Sequence, residues 1–247
     1  MSSDAKVALV TGASRGIGKA IAAALAGDGL TVVGTATTAD GAAAVSGTLG
    51  ELGNPGCGMV LDVTSEDSVA AVTAAILEHY GAPLILVNNA GITRDNILLR
   101  MKEQEWQDVI DTNLSAVYRM SKACARGMAK ARWGRIVNIT SVVGAMGNAG
   151  QTNYAATKSG TEGFARALAR ELGSRAVTVN CVAPGFVDTD MTRNLSEQQR
   201  LELVQRIPLG RLGEPTEIAA LVSFLCSDAA AYITGETLHI NGGMNMA

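Results

Sequence analysis

The first 29 residues combine three features that few folds accommodate. Residues 6–11 form a short run rich in β-branched side chains, a glycine-rich turn follows from Gly12 to Gly18, and an alanine-rich helical stretch ends near Gly29. Such a unit presents backbone amides at a helix N-terminus, where they attract phosphate groups. It therefore predicts a nucleotide site at the start of an α/β fold. The spacing GxxxGxG departs from the dinucleotide fingerprint GxGxxG, so a merely tight turn is the alternative interpretation.

The same alternation continues along the chain. Further strands are predicted at residues 31–37, 57–63, 84–87, 136–141, 177–183 and 237–240, with helical stretches between them. Near-continuous apolar strands separated by helices are typical of a parallel sheet covered on both faces. The 247 residues contain no linker-like stretch and no solenoid-type repeat, so we predict one α/β domain over residues 1–247.

Composition excludes several functions. Hydrophobic residues make up 47% of the chain and aromatic residues only 4%, which predicts a core of Ala, Val, Leu and Ile. The net charge is −3 and no basic run occurs, so we expect no nucleic-acid ligand. No segment reaches the ~18 apolar residues of a membrane span. The four cysteines and two histidines lack ligand-like spacing, which predicts reduced thiols, no metal site and a cytoplasmic location.

Tyr154 and Lys158 are four residues apart in a predicted helix. Residues at this spacing share one helix face, with Cβ atoms roughly 5–6 Å apart. A free tyrosine titrates near pH ~10, and a neighbouring cation can lower the pKa by about 1–3 pH units. We therefore expect Lys158 to make Tyr154 a usable proton donor near neutrality. Taken alone, the pair is better explained as part of an ordinary solvated helix face.

Ser141 strengthens the catalytic interpretation of this pair. It stands at the carboxyl end of the predicted strand 136–141, shortly before Tyr154 in the sequence. In open α/β sheets, ligands bind at the edge formed by the carboxyl ends of the strands. We therefore expect Ser141, Tyr154 and Lys158 to share one site.

Three asparagines are candidates for the same edge. Asn88 and Asn89 follow the apolar strand 84–87 and can either cap a turn or line the cofactor cleft; we favour the cleft for Asn89 only. Asn113 interrupts an apolar stripe of helical period, where an unpaired buried amide costs roughly 1–3 kcal/mol. Nearby backbone can satisfy it, or it can hold a water molecule beside Lys158. The tyrosine–lysine pair favours the second reading.

The end of the second strand indicates which nicotinamide cofactor binds. An NAD-binding fold places Asp or Glu about 20 residues beyond the glycines, on the ribose 2′-hydroxyl, but this chain has Ala36, Thr37 and Thr38. A 2′-phosphate could be held there by Thr37 and the guanidinium of Arg15, which favours NADP(H). The nearest carboxylate, Asp40, is interpreted as the start of a helix.

Three further segments carry local signals. The third strand ends in Asp62, and residues 64–67 resemble a capping box at the start of the next helix. Residues 186–213 form a long, polar segment broken by turn residues, with a short helix predicted from Ser196. A segment of this length is typical of a lid or binding loop. A last helix is predicted from Glu214 and Pro215.

Taken together, these motifs resemble the short-chain dehydrogenase/reductases over nearly the whole length of the chain. The resemblance is carried by residues 11–18 (TGASRGIG), 88–91 (NNAG), Asn113, Ser141, Tyr154, Lys158, Pro184 and Gly185. Within that family, residues 92–96, 185–191, 209–213 and 233–244 resemble bacterial β-ketoacyl-acyl-carrier-protein reductases.

The resemblance implies a Rossmann-like, doubly wound parallel sheet of seven strands in three layers. It implies NADPH-dependent reduction of 3-oxoacyl groups on acyl carrier protein, in fatty acid biosynthesis. The implied catalytic residues are Asn113, Ser141, Tyr154 and Lys158. The implied cofactor contacts, besides Tyr154 and Lys158, are Gly12, Ala13, Ser14, Arg15, Gly16, Gly18, Thr37, Asp62, Val63, Asn89, Ala90, Gly91, Pro184, Gly185, Val187 and Thr189.

The resemblance also implies an assembly and a partner. It implies a homotetramer with the helix of Asn113, the helix of Tyr154 and the C-terminal strand at interfaces. Arg132 and Arg175 match basic residues that meet the acidic carrier protein, although two arginines are also ordinary surface charge.

Two alternatives stay open and a third is disfavoured. One keeps the chemistry and changes the substrate to acetoacetyl-CoA or another ketone, and the other is a non-catalytic NADP(H)-sensing protein. Enoyl reductase is disfavoured because that relative places its tyrosine seven residues before the lysine, where this chain has Gln151.

Overall fold

A computed structural model describes residues 6–189 and 197–246 of the chain. Seven strands of the described residues form one parallel sheet in the order β3-β2-β1-β4-β5-β6-β7. They are β1 (Val7–Val10), β2 (Thr31–Ala36), β3 (Cys57–Val60), β4 (Pro83–Asn88), β5 (Gly134–Ile139), β6 (Val177–Pro184) and β7 (Thr237–Ile240). The prediction of a doubly wound α/β sheet is therefore confirmed.

Helices cover both faces of this sheet. They are α1 (Gly16–Gly27), α2 (Ala39–Glu51), α3 (Glu66–His79), α4 (Glu103–Ile110), α5 (Ala116–Ala131), α6 (Val142–Met146), α7 (Thr152–Leu172), α8 (Glu197–Gln205) and α9 (Pro215–Cys226). One hydrophobic cluster packs α1, α2 and α9 against the sheet, and a second packs α3, α5 and α7 against the other face. None of the helices in residues 6–189 and 197–246 has the length and apolar composition needed to cross a membrane.

The strand order determines where a ligand can bind. The chain winds outward from β1 through β2 to β3, and then returns to place β4 on the other side of β1. At such a reversal, the loops leaving two neighbouring strands go to opposite faces and open a crevice at the carboxyl edge. The glycine turn after β1 and the NNAG segment after β4 border this crevice.

One helix start agrees with the sequence prediction and one differs. Thr38 caps α2 by accepting a hydrogen bond from the Gly41 amide, and Asp40 lies within the first turn, as expected for a helix start. Ser65 caps α3 by accepting from the Ser68 amide, and the capping box expected at residues 64–67 does not form. The predicted cap failed because the hydroxyl of Thr64 donates to Asp62 instead.

The helix that carries Asn113 is not continuous. The helical hydrogen bonds of α4 widen into a π-turn over Asp111–Ser115 before α5 begins. Such single-turn bulges often occur at functional sites. The short helix α6, which starts directly after Ser141, was also absent from the sequence prediction. The start expected for α8 at Ser196, and residues 190–191 of the motif at 185–191, lie outside the described residues.

Candidate active site

The glycine turn is held tightly against β4. Gly12 and Gly16 adopt left-handed φ values of 65° and 53°, which favour glycine. A Cβ atom at Gly18 would lie 2.1 Å from the carbonyl oxygen of Gly12 and 2.5 Å from Nδ2 of Asn89. The first turn of α1 can therefore approach the preceding loop only because residue 18 has no side chain.

Asn89 and Thr11 connect this turn to the next crossover. The Asn89 amide donates to the carbonyl oxygens of Thr11 (2.9 Å) and Gly12 (3.0 Å). In return, the Thr11 hydroxyl accepts from the backbone amides of Asn89 (3.0 Å) and Ala90 (3.0 Å). Asn89 was predicted to line the cofactor cleft; in the structure its side chain supports the turn that borders the cleft.

The amino end of α1 is suited to an anion. Arg15 occupies the N-cap position with no side-chain cap, and the first turn contains no acidic residue. The unpaired amides and the positive end of the helix dipole therefore face the crevice. Arg15 and Thr37 are both exposed, and Thr37 directly follows β2. These residues fit the diphosphate and the 2′-phosphate of NADP(H).

The remaining predicted cofactor residues lie around the same crevice or support it. Thr189 stands over the glycine turn, 3.4 Å from the position that a Cβ of Gly16 would take. Gly185 packs against Asn241, and buried Val187 forms a bridge with Gly213. Asp62 is exposed beyond β3, and hydrogen bonds from Thr64 lower the pKa of its carboxyl group.

Ser141, Tyr154 and Lys158 come together at the carboxyl edge of the sheet, as predicted. Ser141 follows β5 and caps α6, and its hydroxyl is near enough to Tyr154 to lower the pKa of the phenol. Lys158 is buried, and its Nζ lies 5.3 Å from the centre of the Tyr154 ring. The same Nζ donates to the carbonyl oxygen of Ile139 at 2.9 Å, which fixes the ammonium at the end of β5.

The pKa of Tyr154 differs from the sequence prediction. Burial raises this pKa, the hydrogen bond with Ser141 lowers it, and the charge of Asp95 raises it further. Burial also lowers the pKa of Lys158 to about 8, so the lysine itself is partly uncharged near that pH. Lys158 faces the ring and the Ile139 carbonyl, which explains why it does not lower the pKa of the phenol as expected. Tyr154 therefore stays protonated at neutral pH and can act as an acid.

Asn113 lies beside Lys158, but its side-chain amide is hydrogen-bonded to the backbone. Asn113 Oδ1 accepts from the Ile92 amide at 2.8 Å, and Nδ2 donates to the Ile92 carbonyl at 2.9 Å. A Cβ at Gly91 would lie 3.2 Å from Asn113 Oδ1 and 3.7 Å from Lys158 Nζ, so the two side chains border one space. The side chain of Asn113 thus holds the loop after β4, and its water-holding role stays a prediction.

Asn88 lies within the sheet and does not line the cleft. Its amide donates to Asn138 Oδ1 at 2.8 Å and faces the Ser121 hydroxyl at 3.4 Å, and all three residues are buried. These contacts connect β4, β5 and α5 below the catalytic group.

Arg132 and Arg175 lie together, but at the opposite edge of the sheet. Arg132 ends α5 just before β5 and donates to the Ser174 carbonyl at 3.4 Å, while Arg175 stands just before β6. The catalytic group follows the carboxyl end of β5. Within one subunit, the two arginines and Tyr154 therefore lie at opposite ends of the sheet strands.

Replacing Lys158 with methionine should change how stability depends on pH. The lysine pKa is about 8 in the folded chain, and about 10.4 in an unfolded chain. Between these values the unfolded state binds more protons, so the penalty of the buried ammonium is present at lower pH and disappears as the pH rises. The free energy of unfolding of the wild type, relative to the methionine variant, should therefore rise between about pH 8 and about pH 10. Urea titrations of both proteins measure it.

Comparing the two proteins separates the effect of Lys158 on stability from the effects of the other titratable groups. Burial raises the pKa of the Cys124 and Cys226 thiols, which lowers stability at alkaline pH in both proteins alike. A difference that stayed constant or fell over this pH range would contradict the lowered pKa of Lys158.

A nucleotide crevice beside a serine, tyrosine and lysine group is the arrangement of a nicotinamide-dependent oxidoreductase. The family model described as enoyl-(acyl carrier protein) reductase matches residues 12–245. The chain therefore belongs to the short-chain dehydrogenase/reductase family, as its motifs predict.

Relatives along the whole chain are more specific. The chain is 66% identical over 247 residues to a 3-oxoacyl-[acyl-carrier-protein] reductase FabG of Pseudomonas aeruginosa, with 100% of both chains covered. It is 60% identical over 246 residues to the protein of the same name from Vibrio cholerae, and 58% identical over 246 residues to that from Escherichia coli, again with 100% of each chain covered.

Proposed function

We propose that this protein reduces 3-oxoacyl-[acyl-carrier-protein] to 3-hydroxyacyl-[acyl-carrier-protein] with NADPH, in fatty acid biosynthesis. The observation that carries the proposal is the convergence of Ser141, Tyr154 and Lys158 at the carboxyl edge of the sheet, with Lys158 Nζ 5.3 Å from the centre of the Tyr154 ring. The names of the full-length relatives supply the substrate. The four free cysteines favour a reducing compartment, and we propose a cytoplasmic location.

The catalytic residues have distinct roles. Ser141 hydrogen-bonds the ketone oxygen and stabilises the negative charge that develops there, an interaction whose loss typically costs ~10²–10³ in rate. Tyr154 donates its proton to the same oxygen, which as an alkoxide is a stronger base than a phenolate. Lys158 holds the nicotinamide ribose and, with Asn113, returns a proton to Tyr154 through water.

The residues around the crevice fit NADP(H). The cofactor, when bound, supplies the hydride that reduces the β-carbon. The amides at the start of α1 would hold its diphosphate, and Arg15 with Thr37 would hold the 2′-phosphate. Position 37 is a threonine and not a carboxylate, so its side chain would not repel the 2′-phosphate of NADP(H).

Enoyl reduction is the alternative that the description of the family model raises. The residue seven positions before Lys158 is Gln151, whose side-chain amide binds Asp95 and has no proton donor equivalent to a phenol. The placement of Tyr154 beside Lys158, with Ser141 at the end of β5, instead supports reduction of a ketone.

One set of assays on the wild type separates the candidate functions. Purified protein is incubated with NADPH or NADH and with acetoacetyl-carrier protein, acetoacetyl-CoA or crotonyl-CoA. We expect oxidation of NADPH with both acetoacetyl substrates, a higher kcat/KM for the carrier-linked one, and no turnover of crotonyl-CoA. A higher rate with acetoacetyl-CoA favours the CoA reductase, and no turnover at all favours a sensing protein.

The acyl carrier protein should bind at Arg132 and Arg175, which lie together on an exposed corner. Because this corner lies at the amino edge of the sheet, it would serve the active site of another subunit. This requires an oligomer, and we propose the homotetramer that the resemblance implies, with α5, α7 and the edge strand β7 at interfaces.

Charge reversal of both arginines should affect only carrier-linked substrate. The variant Arg132→Glu, Arg175→Glu would repel an acidic carrier, because like charges across an interface suppress association. We expect at least about a tenfold loss of kcat/KM for acetoacetyl-carrier protein, corresponding to roughly 1.4 kcal/mol. The rate with acetoacetyl-CoA is the internal control and should stay close to wild type. Equal loss on both substrates, or on neither, would dismiss this docking site.

A further inference from the structure

The two loops that border the catalytic cleft are joined by a charged residue. Asp95, in the loop after β4, accepts two hydrogen bonds from Gln151 Nε2, at 3.1 Å and 3.0 Å. Gln151 directly precedes α7 and in turn accepts from Asn148 Nδ2 at 2.9 Å. The carboxylate of Asp95 is therefore held at a defined position on the cleft.

Backbone contacts keep the same two loops in register. The Asn96 amide donates to the Gly150 carbonyl at 2.9 Å, and buried Asn153 donates from Nδ2 to the Arg94 carbonyl at 3.0 Å. The position of Asp95 is thus fixed by the fold on both sides of it in the sequence.

Asp95 is close enough to the catalytic phenol to act on it electrostatically. Gln151 and Tyr154 are three residues apart, so they lie on one side of the first turn of α7. Asp95 is held by the residue at the N-cap of the helix that carries Tyr154, and its negative charge is one of the causes that raise the pKa of the phenol. Asp95 is also exposed, so an incoming substrate meets this charge.

The other charged groups near Tyr154 face different partners. Lys158 lies behind the Tyr154 ring. Arg94 faces Asp108 at 3.6 Å, and Glu105 accepts from Asn96 and from the Lys102 amide. Among the residues that the structure describes, Asp95 is the carboxylate whose charge raises the pKa of the phenol, whereas Asp108, which faces Arg94, offers a comparison.

We propose that Asp95 is a specificity-determining residue that admits neutral 3-oxoacyl thioesters and rejects free 3-oxo acids. A thioester carries no charge near its ketone, and the amide groups of its pantetheine arm can donate hydrogen bonds to a carboxylate. A free 3-oxo acid carries a carboxylate two carbons from the ketone, which Asp95 repels. This inference rests on the proposed ketone reduction.

The test compares Asp95→Asn with the wild type on two small substrates, acetoacetate and its N-acetylcysteamine thioester. The asparagine still accepts a hydrogen bond from Gln151 but carries no charge. The ratio of kcat/KM for the acid to kcat/KM for the thioester should rise roughly five- to tenfold, as expected for losing one partly screened like-charge contact. If the wild-type rate on acetoacetate is below detection, the variant should bring it above detection.

Two control variants and a pH profile complete the test. Asp108→Asn removes a carboxylate that faces Arg94, and Asp95→Glu keeps the charge; both should retain the wild-type ratio. Because Asp95 raises the pKa of Tyr154, the alkaline decline of kcat/KM for the thioester should begin at lower pH in Asp95→Asn than in Asp108→Asn. A ratio and a pH profile unchanged in Asp95→Asn overturn the inference. A wild type inactive on the thioester overturns the proposed function instead.

Discussion

Replacing Tyr154 with phenylalanine should lower kcat/KM for an acetoacetyl thioester by about 10²–10⁴, the range typical of a lost general acid. The variant keeps the ring beneath Lys158 and removes only the phenol hydroxyl. The alkoxide must then take its proton from water instead of from a phenol that the fold holds in place. Steady-state oxidation of NADPH measures the loss, and fluorescence titration should show that NADPH binding is preserved.

A matched variant separates this chemistry from stability. Tyr118→Phe makes the same change on α5, where an exposed hydroxyl accepts from Lys122 at 3.1 Å far from the triad. It should keep wild-type turnover. The free energy of unfolding of Tyr154→Phe should fall by only about 1 kcal/mol, the value of one hydrogen bond. If Tyr154→Phe retained more than about a tenth of wild-type kcat/KM, the assignment of the acid would be wrong.

The fold was predictable because its signals are local and periodic. The buried runs at Val7–Val10 and Val177–Pro184 are almost entirely apolar, as strands covered on both faces must be. The last helix begins at Pro215 with a Glu214 cap, as the sequence indicated. The doubly wound, seven-stranded sheet was implied by the family resemblance, and the strand order within it came from the structure.

The errors have a different origin, since they depend on competition between nearby groups. Thr64 could cap α3, but its hydroxyl binds Asp62 and the neighbouring Ser65 takes the cap. The apolar stripe around Asn113 predicted one continuous helix, and the π-turn over Asp111–Ser115 was not foreseen.

The electrostatics of the site were also beyond a sequence argument. The spacing of Tyr154 and Lys158 shows that the two side chains share a face, but the sign of a pKa shift depends on burial. Burial raises the pKa of the phenol and lowers that of the ammonium to about 8. The contact between Asp95 and Gln151 joins residues far apart in the chain, and no local motif announces it.

Gly18→Ala should disrupt the cofactor site by displacing the backbone that forms it. The new Cβ would lie 2.1 Å from the Gly12 carbonyl oxygen and 2.9 Å from its carbonyl carbon, and both are backbone atoms that no rotamer change can move. The start of α1 must therefore shift away from the turn. Overpacking of this kind costs typically about 1–3 kcal/mol of stability. Because the amides at this helix start would also move off the diphosphate, we expect at least about a tenfold rise in the Kd for NADPH.

Gly27→Ala, on the same helix, should lower neither the stability nor the affinity for NADPH. Residue 27 ends α1, and a Cβ there meets no atom within 4 Å. Alanine in a helix is favoured over glycine by roughly 0.5–1 kcal/mol, so this variant should be as stable as the wild type or more stable, with an unchanged Kd. Thermal unfolding and fluorescence titration of the two variants, measured in parallel, distinguish a steric effect from a general effect of alanine in α1. If Gly18→Ala bound NADPH like Gly27→Ala, the close approach of α1 to the glycine turn would not be what creates the cofactor site.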